Sequence, residues 1–194
     1  MGIRATTEAK LLDAAEELFF SHGIATTPID AVLARAGVSA ATLYRGYASK
    51  EELVAAALQR RQRAWLEVWD QAIDRAETPR DKLLAVFDAL DEFRSRPYRS
   101  RWCAFLGSAA EYADLPEEIG QVVARDTDSL RDQLFQLAGP VVGGHASALA
   151  EQLLLIVTGD LAMRLRDPDN QTAIARSIAE VLINALLDHR HGSH

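Results

Sequence analysis

Residues 11–53 read LLDAAEELFFSHGIATTPIDAVLARAGVSAATLYRGYASKEEL, a run in which glycines and capping residues recur too closely for one long helix or a strand. Leu11, Ala15 and Leu18 fall at steps of four and three, Leu12 and Phe19 widen the stripe, and Asp13, Glu16 and Glu17 take the other face. That pattern predicts an amphipathic helix, with Gly23 as its stop. Thr27 is placed to cap a second helix, because Pro28 fits a first helical position and Asp30 completes a capping box. This helix is expected over 28–36. Gly37 permits the positive φ that breaks it, and Val38 gives the turn an apolar anchor. Ser39 then offers its hydroxyl as the cap of a short third helix over 40–46. Ser49-Lys50-Glu51-Glu52 is another capping box and opens a long fourth helix. Lys50 therefore lies in a first turn, beside backbone N–H groups that can bind phosphate.

Three short helices followed by a docking lysine are the layout of a helix-turn-helix DNA reader. In its ordered series Ala-Ala, Leu-Phe, Gly, Thr-Thr, Ala-Gly-Val-Ser, Thr-Leu-Tyr and Ser-Lys-Glu-Glu-Leu, the segment resembles the N-terminal DNA-binding domain of the TetR family of transcriptional regulators. The resemblance covers the first quarter of the chain. It implies that Thr27, Tyr44, Tyr47 and Lys50 hold phosphates, that Ala40, Ala41, Thr42 and Arg45 face bases, and that the capping Ser39 belongs to the same DNA-binding set. Arg45 is the strongest base-reading candidate, with a phosphate contact as its alternative. Ala40 stands where many relatives carry a longer polar or basic residue, and Gly46 where many carry histidine or another large side chain. Recognition should then lean on A·T steps, Arg45 and DNA shape. Arg4, ahead of the first helix, is a candidate minor-groove contact.

Charge is divided along the chain. The net charge is −7, yet residues 1–50 carry five basic and five acidic groups, so the whole excess falls on 51–194. A neutral reader with local cations, joined to an acidic body, should bind DNA in a salt-sensitive but not indiscriminate way. The expected domains are 1–50 for DNA binding and 51–194 for effector binding and dimerisation. A single cysteine excludes an internal disulfide. The sequence offers no apolar run of membrane-spanning length and no secretion signal at its start, so the expectation is a cytoplasmic protein with no membrane partner.

Beyond Leu53 the pattern is helical throughout, with no strand alternation, which predicts an all-α chain of about nine helices. The fourth helix continues through Trp65 and Trp69 toward Ala76, and Thr78-Pro79-Arg80-Asp81 repeats the cap grammar. Further helical patterns cover 83–93, 102–112, 116–138, 145–166 and 172–188. Residues 139–144 read as a loop and 167–170 as a turn. In the last two helices Leu153, Ile156 and Val157 belong to a stretch apolar all round, while Ile174, Ile178, Val181, Leu182 and Ala185 form a stripe. In the resembled family such a pair packs against its copy as a four-helix bundle, which implies a homodimer.

The resemblance also implies a small-molecule effector, and Trp65, Trp69, Phe87, Tyr98, Trp102, Cys103, Phe105 and Tyr112 are the candidates to line its site. Arg96, Arg99 and Arg101 read as a solvated cluster, Cys103 as a small buried residue, and His189, His191 and His194 as a mobile tail rather than a metal site. No catalytic constellation or cofactor motif stands out. The expected function is therefore a ligand-responsive regulator, a repressor released from a pseudo-palindromic operator by its effector. The rival class is a helical small-molecule binder or enzyme that keeps the N-terminal helices as scaffold.

Overall fold

The structure, a computed structural model, describes residues 3–95, 103–167 and 169–191, and among these every regular element is helical. In chain order these are α1 (Ala5–His22), α2 (Ile29–Ala36), α3 (Ala40–Leu43), α4 (Lys50–Arg75), α5 (Pro79–Ser95), α6 (Ala104–Ala110), α7 (Glu117–Val142), α8 (Ala146–Arg166) and α9 (Thr172–His191). Several ends sit where the sequence places them. The Ser39 hydroxyl accepts from the Thr42 N–H at 3.3 Å, Ser49 from Glu52 at 3.1 Å, and Thr78 from Asp81 at 3.1 Å. At the start of α4 the Glu52 carboxylate reaches back to the Ala48 N–H at 2.6 Å. Gly37 ends α2 with φ +65°, in the left-handed region that costs glycine nothing.

Two local expectations need correction. Thr27 does not cap α2, because Pro28 occupies the N-cap position and Thr27 lies one residue too early to reach the first N–H groups. Its buried hydroxyl donates instead to the Gly23 carbonyl at 2.7 Å. Residues 139–142 are not loop either, since α7 continues through Pro140 to Val142 and only Gly143–His145, a single 3₁₀ turn, separates it from α8. Proline removes one backbone bond, but near a helix end that loss is small beside the burial of Ala138, Val141 and Val142.

The chain forms two compact units, which divide differently from 1–50 and 51–194. The first comprises Met1–Arg63 with Pro97–Asp126, and the second Ala64–Arg96 with Thr127–His194. In the first, Leu11, Ala15, Phe19 and Phe20 of α1 meet Val32 and Leu33 of α2, Leu43 of α3 and Leu53, Val54 and Leu58 of α4. Ala104 and Phe105 of α6 and Ile119 and Val122 of α7 complete this core. The reading helices thus share their interior with residues about 60 to 110 positions downstream.

In the second unit α5 is central, because Leu83 to Phe87, Ala89 and Leu90 are all buried, so the helix is covered on every side over its apolar stretch 83–87. Around it stand Val68, Trp69 and Ala72 of α4, Leu134 and Ala138 of α7, Leu149, Leu153 and Val157 of α8, and Ala175, Ala179 and Ile183 of α9. A buried polar network fixes the α8–α9 corner. Arg164 donates to Asp160 at 2.7 Å and to Thr172 at 2.8 Å, Thr172 donates to Asp91 of α5 at 2.6 Å, and Asn170 donates to Asp160 at 2.8 Å. Arg164 and Asp160 are nearly inaccessible, and each satisfies a charge that would be costly alone.

Glu117–Arg166 contains a window long and apolar enough to cross a membrane, with mean hydropathy 1.4, against the expectation from the sequence. In the fold this stretch is two helices, α7 and α8, whose inner faces fill the core of the second unit.

Asp126 of α7 is mostly buried in the first unit, and burial alone pushes its carboxyl from the ordinary 3.8 up to about 6. The unfolded chain sheds that proton near pH 4 and the folded chain near pH 6. The contribution to stability is therefore full below about pH 4 and is lost as pH rises through about 6. Asp126→Asn should raise stability at pH 7 by about 2 kcal/mol while changing little at pH 4, so the gap between variant and parent widens with pH. Thermal melts of both proteins across that range test this, and a gap independent of pH would remove Asp126 as the cause.

Candidate nucleic-acid interface

The third helix is a single turn, held by one buried side chain and one cap. Leu43 is 0% exposed, and the Tyr44–Gly46 turn continues the backbone from it, with Gly46 and Tyr47 N–H groups both donating to the Leu43 carbonyl. Anchoring from below leaves Ala40, Ala41, Tyr44 and Arg45 exposed on the outer side, Tyr44 at 55%. Arg45 donates to the Thr42 hydroxyl at 3.0 Å, and that hydroxyl lies 3.0 Å from the Ser39 hydroxyl. Thus Ser39, Thr42 and Arg45 form a hydrogen-bonded string along the face, and the guanidinium is presented in a defined direction.

Gly46, which replaces the larger residue of many relatives, has a structural reason. A Cβ there would collide with Ile3 Cδ1 and meet Ile3 Cγ1 at 2.7 Å, so the glycine makes room for the segment ahead of α1. Sequence reasoning missed Ile3, whose only signal is an apolar residue just ahead of a helix. Next to it Arg4 is exposed at the N-cap of α1, and its carbonyl accepts from Thr7 and Glu8 at 2.9 Å.

Not every expected phosphate holder points outward. Thr27 is 4% exposed with its hydroxyl bound to Gly23, and Tyr47 is 8% exposed with its hydroxyl donating to Glu8 at 3.0 Å. Burial first, and then that bond and charge of Glu8, push the Tyr47 phenol far above its ordinary value, so it remains a donor. The Thr27 hydroxyl is buried against the Gly23 carbonyl and the part-buried Tyr47 hydroxyl is taken up by Glu8, so both are already engaged within the first unit. Lys50, in the first turn of α4, is half-buried, with its ammonium donating to the Ile24 carbonyl and lying 5.5 Å from the centre of the Phe19 ring.

The acidic groups of this region are largely spoken for. Arg60 pairs with Asp13 at 2.8 Å and with Glu16, Arg35 pairs with Glu17 at 2.7 Å, and Glu8 holds Tyr47. Cations from α2 and α4 thus neutralise Asp13, Glu16 and Glu17 of α1, while Glu8 keeps its charge against the neutral Tyr47 phenol.

The expected effector residues do not form one group. Trp65, Trp69 and Phe87 belong to the core of the second unit, whereas Cys103, Phe105 and Tyr112 belong to that of the first. Trp69 and Phe87 are 0% and 1% exposed; Trp65 packs tilted against Trp69 and edge-to-face with Phe93, ring centres 5.7 Å from each. These are packing roles, which aromatic residues at helical spacing adopt by default. Burial pushes the Cys103 thiol up, disfavouring a reactive thiolate. Tyr98, Trp102, Arg96, Arg99 and Arg101 lie outside the described residues, as does His194; of His189 and His191 only the backbone is described.

The stripe on α9 is exposed as the sequence suggests, with Ile174 at 62%, Ile178 at 49% and Val181 at 67%, beside the half-buried Leu182 and the exposed Ala185. On α8 the expectation needs correction. Leu153 and Val157 are 0% exposed and face the core, Ile156 is half-buried against it, and the outward residue is Leu155 at 73%. An all-round apolar stretch gives no period from which to choose its inner side.

Residues 11–57 match the family described as bacterial regulatory proteins, tetR family. Over 134 residues the chain is 30% identical to the HTH-type transcriptional activator FasR of Mycolicibacterium smegmatis, covering 69% of this chain and 59% of FasR, so it spans less than two thirds of that relative. Among solved structures, a TetR-family transcriptional regulator from Streptomyces coelicolor superposes with a TM-score of 0.84 at 26% identity, over 94% of this chain and 97% of that one. A TetR-like transcriptional regulator from Rhodococcus sp. RHA1 gives 0.72 at 26% identity, over 97% and 99%.

The Gly46 contact yields a test. Gly46→Ala should displace Ile3 and lower stability by about 1 kcal/mol, the scale of overpacking against a movable partner. Adding Ile3→Ala removes the clash, so the double variant should melt above Gly46→Ala alone; additive losses would refute the contact.

Proposed function

Because the chain belongs to the TetR family of transcriptional regulators, we propose that it is a ligand-responsive repressor that binds a pseudo-palindromic operator as a homodimer. The observation that carries the DNA-binding step is the outward face of α3. Ala40 and Ala41 are exposed on a helix that Leu43 and the Ser39 cap hold in place, and Tyr44 and Arg45 are exposed on the turn that continues it. An alanine pair can read thymine methyl groups, and Arg45 carries a forked donor suited to guanine or phosphate. Arg4 reaches toward an adjacent minor groove, and Lys50 holds a phosphate at the start of α4.

A second copy is the occupant proposed for the apolar face of α8 and α9. Ile174, Ile178 and Val181 repeat at the spacing of a helix seam, and Leu155 adds a neighbouring apolar position on α8. Such a stripe suits a four-helix bundle with its own copy. A two-fold dimer then sets two reading helices about 34 Å apart, one turn of B-DNA. Release follows if a small-molecule effector favours another spacing, with a coupling of about 1–3 kcal/mol. The unbroken α4, which carries Lys50 as well as Trp65 and Trp69, is the proposed lever. The protein works in the cytoplasm, where the operator is. Activation is the second reading, because the relative FasR is named an activator. DNA binding is common to both, and the position of the operator relative to the promoter decides the sign.

Fluorescence anisotropy with DNA from upstream of the gene, unrelated competitor DNA and a salt series tests the DNA step. Lys50→Met should weaken binding equally across sequences and lower the salt slope by about one, whereas Arg45→Ala should cost about 1–3 kcal/mol and relax specificity. A folded protein that binds no fragment would favour the scaffold reading. For the dimer, Val181→Asp should give a folded monomer by sedimentation and lower operator affinity more than tenfold, the scale of one lost reading head. A dimer unchanged by Val181→Asp and Ile178→Asp together would place the interface elsewhere.

A further inference from the structure

The turn between α1 and α2 is held at a single peptide unit by two charged side chains. The Lys50 ammonium donates to the carbonyl oxygen of Ile24, and Glu111 Oε2 accepts from the N–H of Ala25 at 2.8 Å. Both groups belong to the amide that joins Ile24 to Ala25. A cation on its oxygen and an anion on its N–H polarise that amide in the same sense, so each bond strengthens the other. The two side chains come from separate elements. Lys50 opens α4, while Glu111 follows the last residue of α6, where its own N–H donates to Gly107 at 3.1 Å. The turn closes its other groups internally, with Thr26 donating to His22 and Thr27 to Gly23, each at 2.7 Å.

We propose that Glu111 is a positioning residue for DNA binding. Acting through the Ile24–Ala25 amide, it fixes the Lys50 ammonium where an operator phosphate meets the start of α4. The inference rests on the DNA-binding reading above. An ammonium has three donors, so one bond to Ile24 leaves two for phosphate. A lysine stem held beforehand by Ile24 and by the Phe19 ring forfeits less rotamer freedom when the phosphate arrives. Glu111 itself needs no contact with DNA, and α6 thereby acquires a direct grip on the reading helices within the first unit.

The test uses the full-length protein and anisotropy with the upstream DNA fragment. Glu111→Ala should weaken binding about three- to tenfold, the scale of a charge-assisted bond partly exposed to water. Glu111→Gln keeps an acceptor without the charge and should fall between. In a Lys50→Met background Glu111→Ala should cost nothing more. Equal losses in both backgrounds, or tighter binding by Glu111→Ala, overturn the proposal. A second measurement needs no DNA. Hydrogen exchange at the Ala25 amide should accelerate about tenfold in Glu111→Ala while the Leu11 and Leu43 amides hold, and the Lys50 ammonium resonance should shift. Unchanged Ala25 exchange or an unmoved Lys50 signal overturns the positioning role. If the parent protein binds no fragment while both signals respond, the DNA-binding reading fails and the link from Glu111 to Lys50 stands.

Discussion

Burial of Leu43 is the constraint on which the DNA-facing surface depends. A helix of one turn has no stability of its own, because nucleation costs more than so few backbone bonds return. What keeps α3 in shape is the apolar contact beneath it and the Ser39 cap at its start. The interior that receives Leu43 is not supplied by α1 and α2 alone. Leu53 and Leu58 of α4, Phe105 of α6 and Ile119 and Val122 of α7 line the same core. The orientation of Arg45 and the outward face of Ala40 and Ala41 are therefore downstream effects of packing by residues far along the chain.

The same economy governs charge. The first fifty residues balance to zero, yet their charges are unevenly engaged, because ion pairs take up Asp13, Glu16 and Glu17 of α1 while Arg45 is exposed and bonded only to the neutral Thr42 hydroxyl among the described residues. Net charge by segment thus understated what local geometry does. In the second unit the opposite arrangement holds. There the charges of Arg164 and Asp160 are drawn inside, where Arg164 holds Thr172 at the start of α9 and Thr172 in turn bonds Asp91 of α5.

Much of this was legible in the sequence where the controlling forces are local. Ser39, Ser49 and Thr78 cap the helices their spacing predicts, since a cap needs only neighbours three residues away. The stripe of Ile174, Ile178 and Val181 is legible for the same reason. Thr27 fails by a single residue, because Pro28 can serve as N-cap as readily as first helical residue, and local pattern does not choose. Pro140 reads as a breaker, but burial of Val141 and Val142 outweighs its missing donor. Leu153 and Val157 could not be assigned a side from an unbroken apolar run. Glu111 and Ile3 left almost no trace, as each acts on a partner distant in sequence, and so did the division of the core.

Because the first unit draws on two separated stretches of chain, its assembly has an order in time. As a ribosome delivers the polypeptide, α1, α2 and α3 emerge long before Phe105, Ile119 and Val122 exist to cover their apolar faces. The nascent reading helices must remain loose or sheltered through that interval, and closing the contact joins residues far apart along the chain, a slow step by loop-closure entropy. A fragment ending near Lys50, although it holds every residue of the DNA-facing surface, would be a reading head without the lower half of its interior.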